Sequence, residues 1–290
     1  MPTNQWPTPP GAGASFFKAH GLGNDYLVFE EGDAWTVDPD AVTHVCHPHR
    51  GVGSDGIVLL LADRTGDVFR ARMFNPDGSE FERSGNGLRV LAAYLTRVAP
   101  DRRRYRVEVG GEQVELLVHG RSGPELDVSV EMGRARVGAD AVALDPKALD
   151  DDGALLGPGG DPIPVVPVSV GNPHLVVRTE VLEEEELHRV GAHLVGHPAL
   201  AHGSNVQLAR VAGPGRVEAL VWERGVGPTS ASGTSACAVA VAAVSRGWLP
   251  PSEIRVEMPG GTLLVTVSES LDVLLRGPVE DVCTGTLLGL

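Results

Sequence analysis

The chain repeats itself, and a repeat of this kind leaves few folds open. GNDYLVF at residues 23–29 recurs as GNPHLVV at residues 171–177. RSGNGLRVLAAYL, from Arg83, recurs as ASGTSACAVAVAA, from Ala231. Asn24 lies 60 residues before Ser84 and Asn172 lies 60 before Ser232, so the two pairs are in register. A third pair, VEVGGEQVELLV from Val107 and VEMPGGTLLVTV from Val256, reads as two hairpins with Gly-Gly turns. The first segment of each half is a Gly-Asn turn running into a β-branched or aromatic strand. The second is a small polar residue and a glycine, followed by a helix of Ala, Val and Leu. Such a helix is apolar nearly all round and must be enclosed by a curled sheet.

Alternation at residues 128–131, 165–170, 217–221 and 273–275 supplies further strands. The expected fold is therefore α+β, with two pseudo-symmetric strand-rich domains, each a curled sheet around a central helix. Residues 1–14, rich in Pro and Gly, read as a frayed tail. Residues 15–135 form the first domain and 136–290 the second, the last strand being free to cross back to the first. Residues 153–164, with GPGGDPIP, read as a solvent loop near the domain junction. Residues 183–186 are all Glu and open a helix with Val181, Leu187, Val190 and Leu194 on one face. Its acidic start suits the positive end of the helix dipole, and its charges read as a solvated surface.

Composition removes several classes of function. A chain of 290 residues with 42% hydrophobic content can bury two cores. A net charge of −14 disfavours nucleic acid and anionic membranes as partners, because both need a basic face. An anionic substrate would have to be held locally, by a fixed Arg or a helix N-terminus. Cys46, Cys237 and Cys283 are too few and too scattered for a disulfide framework. No secretory leader and no apolar run of about 18 residues is evident, so a soluble cytoplasmic protein is expected. His44, Cys46, His47 and His49 fit no standard zinc spacing, and no metal is expected there. No dinucleotide or phosphate-loop fingerprint occurs, so no cofactor is expected either.

The two helix starts carry the functional signal. Ser84-Gly85-Asn86-Gly87 leaves free backbone N–H groups at the head of a buried helix, which attracts carboxylate. An ordinary serine N-cap explains one such start. Two at matching places, each tied to a Gly-Asn turn, point to an active site shared between the domains.

At this point six segments resemble one family. GLGNDYLVF, HRGVGSDGIVLL, FNPDGSEFERSGNGLR, GNPHLVV, SNVQL and WERGVGPTSASGTSACA, in order along the chain, are similar to the signature segments of diaminopimelate epimerase. The resemblance implies a cofactor-free (PLP-independent) enzyme that interconverts LL- and meso-diaminopimelate in lysine and cell-wall synthesis. It also implies two domains closing over a small amino-acid substrate, and a homodimer. Carried over by position, Asn24, Asn75, Asn172 and Asn205 match substrate-binding asparagines. Glu223 and Arg224 match the pair that holds the distal end of the substrate, Arg224 through its planar fork. Gly85, Asn86, Gly233 and Thr234 match the helix starts that cradle the reacting carboxylate. His174 matches a histidine near the reaction centre.

The resemblance fails where the chemistry is concentrated. The family moves the α-proton with two cysteines, and those positions are Ser84 and Ser232 in this chain. Cys237, five residues beyond Ser232, is displaced by more than a helical turn and reads as a small core residue. If serine lies roughly five pH units above a thiol, supplying the base costs about 7 kcal/mol more. A helix dipole returns at most ~2 kcal/mol. A neighbouring base would have to activate the hydroxyl; His174 is the candidate for one face and His20 a weaker one for the other. Four readings stay open: an epimerase of weak, altered or absent activity, an isomerase or dehydratase of the same superfamily, a catalytically disabled amino-acid-binding homologue, and cysteines removed by design. In the second, Asp25, Asp77 or His174 would move the proton.

Overall fold

The structure is a computed structural model that describes residues 14–32 and 38–287. The tail read at residues 1–14 lies outside the described residues except for Ala14. The chain forms two compact units, Met1–Leu126 with Val279–Leu290, and Asp127–Pro278.

In the first unit β1 (Ser15–Gly21) and β2 (Asn24–Glu30) form a hairpin. Its turn, Leu22-Gly23, has φ of 56° and 88°, the left-handed geometry that a tight hairpin demands. A short helix, α1 (Pro39–Cys46), leads to β3 (Ile57–Leu60), which runs parallel to β2. Antiparallel β4 (Val68–Phe74) and the two-residue β5 (Glu80–Phe81) follow, and then the central helix α2 (Gly85–Val98). β6 (Arg104–Val109) pairs parallel to β4, and β7 (Glu112–Ser122) folds back on β6. Leu88, Val90, Leu91, Ala92, Ala93 and Leu95 of α2 are fully buried, while Arg97 and Val98 at its end are exposed.

β8 (Glu125–Arg134) carries the chain into the second unit, where β9 (Arg136–Val137) follows. A small hairpin comes next, β10 (Ala154–Leu156) and β11 (Pro162–Pro164). The order of the first unit then returns: β12 (Val166–Ser169), β13 (Pro173–Arg178), α3 (Glu184–Leu194), β14 (Asn205–Gly213), β15 (Arg216–Glu223), β16 (Gly227–Thr229), α4 (Gly233–Ser245), β17 (Glu253–Met258) and β18 (Gly261–Val267). The pairings repeat as well: β13 runs parallel to β14, and β15 to β17, with antiparallel neighbours between. The fold is thus two pseudo-symmetric, strand-rich domains, each wrapped on a central helix. The last strand, β19 (Asp272–Thr286), pairs with β18 through residues 273–276 and with β1 through residues 280–286.

Four details depart from the sequence reading. Residues 153–164 are more than a solvent loop, because Leu155 and Ile163 of the β10–β11 hairpin enter the second unit's core. Val181 precedes α3 and is 55% exposed, whereas Leu187, Val190 and Leu194 form the helix's buried face. The second hairpin turns on Pro259-Gly260, with Gly261 already paired to Met258. The counterpart of α3 in the first unit, α1, has no place in the sequence reading. Its start was nevertheless marked: Asp38 caps the N–H of Ala41 and Pro39 occupies the first turn.

Each central helix is held at its entrance by the hairpin turn that follows it. A Cβ on Gly110, where φ is +59°, would lie 2.7 Å from the carbonyl oxygen of Glu82. A Cβ on Gly260 would lie 3.0 Å from that of Ser230, and the Gly260 N–H donates to the same oxygen at 2.7 Å. Glu82 and Ser230 each stand two residues before the serine that begins the helix.

Candidate functional site

In the first unit the polar groups gather where β2, β3 and α2 all begin. Ser84 is the N-cap of α2, and its Oγ accepts the N–H of Gly87 at 3.1 Å. The same oxygen accepts the phenol of Tyr26 at 3.1 Å. Asn24, the first residue of β2, accepts from Asn86 Nδ2 at 2.9 Å and donates to Asp55 Oδ2 at 3.1 Å. Asn86 in turn accepts from the buried guanidinium of Arg89. Gly21 leaves the space that this needs, since a Cβ there would meet Arg89 Nη2 at 2.7 Å. Gly56 does the same for Tyr26, whose ring would stand 2.5 Å from a Cβ at position 56.

Asn75 closes the turn after β4, with Nδ2 donating to Ser79 Oγ at 3.0 Å. Asp77 is occupied in that turn as well, accepting the N–H and hydroxyl of Ser79, which hold its carboxyl below the usual range. Asp25 is paired with Lys18 at 2.5 Å. His20 accepts the N–H of Gly23 at 3.3 Å and has its Nε2 3.9 Å from Glu280, so its ring serves the β1–β2 turn.

The second unit repeats the positions and alters the contacts. Asn172 donates to Thr234 Oγ1 at 3.5 Å, across the same interval of 62 residues that links Asn24 to Asn86. His174 stands two residues after Asn172, as Tyr26 does after Asn24. Its ring is fully buried, with Nε2 2.8 Å from Asn172 Oδ1 and Nδ1 3.1 Å from Gln207 Nε2. The Gln207 amide donates also to Ser235 Oγ at 3.0 Å. An amide N–H on Nδ1 makes that nitrogen the acceptor, so the imidazole proton sits on Nε2 and is given to Asn172. Burial, with the charge of Arg224 adding to it, pushes the His174 pKa down to about 3, so the ring is neutral at ordinary pH.

Both ring nitrogens of His174 are thereby engaged away from Ser232. The Ser232 side chain makes no capping hydrogen bond, and no partner for its hydroxyl occurs among the described residues. His174 orients Asn172; it does not activate Ser232 in this arrangement. Asn205 ties two segments together, donating to the carbonyl of Pro173 at 3.1 Å and accepting the N–H of Arg224 at 3.0 Å. Arg224 lies on the exposed tip of the β15–β16 hairpin, with Nη1 on the carbonyl of His202 at 2.6 Å. Glu223 accepts the hydroxyl of Thr229 at 2.7 Å. Gly85 and Gly233 are the buried first residues of α2 and α4.

Elsewhere, Cys237 is a fully buried residue of α4. The Cys46 thiol is pushed up to about 12, chiefly by burial, with Asp25 and Asp55 adding to it. His47 Nδ1 accepts the N–H groups of His49 and Arg50. Among the described residues no helix is long and apolar enough to cross a membrane.

The sequence reading passed over Tyr26 and Gln207. The repeat itself held a signal for the first: Tyr26 precedes Ser84 by the interval at which His174 precedes Ser232. Gln207 lies within the quoted SNVQL segment, two residues after Asn205 on β14.

Comparison with solved structures places this architecture among epimerase-like folds. A hydroxyproline epimerase from Agrobacterium vitis, solved with trans-4-hydroxy-L-proline, superposes with a TM-score of 0.70 at 14% identity over 94% of this chain and 90% of that one. A predicted epimerase from Pseudomonas aeruginosa superposes with a TM-score of 0.66 at 20% identity, covering 96% and 100%. In sequence, the diaminopimelate epimerase of Desulforudis audaxviator is 40% identical over 93% of this chain and 98% of its own. That of Pelotomaculum thermopropionicum is 37% identical over 93% and 97%. The family model for diaminopimelate epimerase matches residues 16–138 and 166–281. The chain belongs to the diaminopimelate epimerase family.

Proposed function

We propose that this protein binds an α-amino acid with a second polar end, diaminopimelate being the natural candidate. The N–H groups that open α2, and equally those that open α4, would suit a carboxylate, with Gly85 and Gly233 letting it approach. Asn24, Asn75, Asn172 and Asn205 would hold the remaining polar groups, and Glu223 with Arg224 the distal end. Ser84 and Ser232 would take the places of the family's proton-transfer cysteines.

The observation that supports this reading is a hydrogen bond between the hairpin asparagine and the helix start at the same interval in each half, Asn86 Nδ2 donating to Asn24 and Asn172 Nδ2 donating to Thr234. On the same reading the proton transfer is weak. Neither serine is bonded to a strong base, and His174, held neutral with a pKa of about 3, is a poor acceptor for the Ser232 proton. The protein would act in the cytoplasm as a homodimer, which sedimentation tests directly.

Calorimetric titration with LL- and meso-diaminopimelate tests the binding. The parent protein is expected to bind at least one isomer, and Arg224→Ala to lose roughly 2 kcal/mol or more, the usual cost of stripping a charged partner from a carboxylate. No heat with either isomer would remove diaminopimelate as the ligand and favour another substrate of the superfamily.

A further inference from the structure

The two serines differ in one respect that bears on chemistry. Ser84 Oγ receives two hydrogen bonds, from the Tyr26 phenol and from the Gly87 N–H, both at 3.1 Å. The 3.1 Å contact between the two oxygens is also the path by which the Ser84 hydroxyl proton can pass to Tyr26 once the phenol has lost its own, with the Gly87 N–H still holding Ser84 Oγ in place. Ser232 has no such support among the described residues. The residue in the equivalent place, His174, has both ring nitrogens committed to Asn172 and Gln207.

We infer that Tyr26 and Ser84 form a proton relay, and that the protein exchanges the α-proton of its substrate from one face without inverting the centre. The inference rests on the proposed function, in which Ser84 faces the reacting carbon. In the forward step the Cα–H bond breaks and its proton goes to Ser84 Oγ, while the Ser84 hydroxyl proton passes to a Tyr26 phenolate. The negative charge moves from the phenolate to Cα. The return step reverses each transfer, so a solvent deuteron acquired by the pair is delivered to the face from which the proton left.

The relay changes which acid limits the chemistry. A phenol titrates near pKa 10, about 1.5 units above a thiol, whereas serine alone lies roughly five units above it. A phenol therefore gives up its proton more readily than an unassisted serine hydroxyl. Ser84 remains the group that touches substrate; Tyr26 acts through it as a positioning and proton-holding residue.

The test uses the full chain in D₂O with LL- and meso-diaminopimelate separately, read by mass spectrometry and chiral chromatography. One isomer should gain deuterium at Cα with its configuration retained, and the other none. Tyr26→Phe keeps the ring that packs on Gly56 and removes only the hydroxyl. It should slow incorporation about 100-fold, the usual scale of a lost acid–base group, with an unchanged thermal midpoint. Placed in a Ser84→Cys background, the same change should slow exchange less than tenfold, because a thiolate needs no phenol. An equal penalty in both backgrounds would mark Tyr26 as structural and overturn the relay. Inversion, or exchange into both isomers, would overturn the one-sided account. A parent that fails to exchange while Ser84→Cys succeeds removes the relay and leaves the proposed function standing. Failure in Ser84→Cys as well removes the relay, and the proposed function falls with it only if calorimetry also shows no binding of either isomer.

Discussion

His174 is neutral because the protein has taken its water away and given each ring nitrogen a partner. Burial lowers its pKa to about 3, and the charge of Arg224 adds to that fall. The stability consequence has a definite sign. The folded pKa is depressed below the unfolded value near 6.5, so the unfolded chain binds the extra proton between those two values. The stabilisation is complete above about pH 6.5 and is lost as pH falls through the window towards 3, at roughly 1.4 kcal/mol per pH unit from this one group. Urea unfolding at pH 7, 6 and 5 should therefore show a shallower pH slope in His174→Gln than in the parent. Equal slopes would mean that the ring is not held neutral by burial.

The serine helix starts are positioned by hairpins that lie beyond the helices in sequence. Gly110 and Gly111 both have positive φ, at 59° and 79°, but only Gly110 presses on another segment. Gly110→Ala should cost about 1–3 kcal/mol more than Gly111→Ala, since both strain the turn and only the first overlaps the Glu82 carbonyl. Differential scanning calorimetry of the two variants decides it, and equal losses would show that the contact at Glu82 is slack. At this level much was legible in the sequence. Helix α4 declared itself by lacking any polar face and α2 by its run of Leu, Val and Ala, and the repeat fixed which strands were equivalent. α1 was missed because eight residues with two buried valines carry little periodicity, although Asp38-Pro39 marked its start. The β10–β11 hairpin was missed because its polar, glycine-rich turn outweighs Leu155 and Ile163, the two residues that anchor it. The repeat marked Tyr26 by its interval to Ser84, but that its phenol bonds the serine was beyond reading. His174 stands at the same offset and turns the other way, a choice made by Gln207 on the neighbouring strand.

The two halves of the molecule share an order of elements and differ in what their serines can do. The first offers a hydroxyl supported by a phenol and a helix N–H. The second offers a hydroxyl with no partner among the described residues, beside a histidine occupied elsewhere. A two-sided reaction needs a competent group on each face of the carbon, and general acid–base groups each contribute about 10²–10⁴-fold. Family membership follows from the match over most of the chain. On the proposed function, what this member does with a substrate turns on Ser84 and Ser232. The most direct measurement is the LL-to-meso ratio of diaminopimelate after prolonged incubation, for the parent and for the Ser84→Cys, Ser232→Cys double variant. The account predicts that the parent leaves either pure isomer unconverted, while the double variant brings both to the same mixture. Conversion by the parent at a rate comparable to that of the double variant would contradict it.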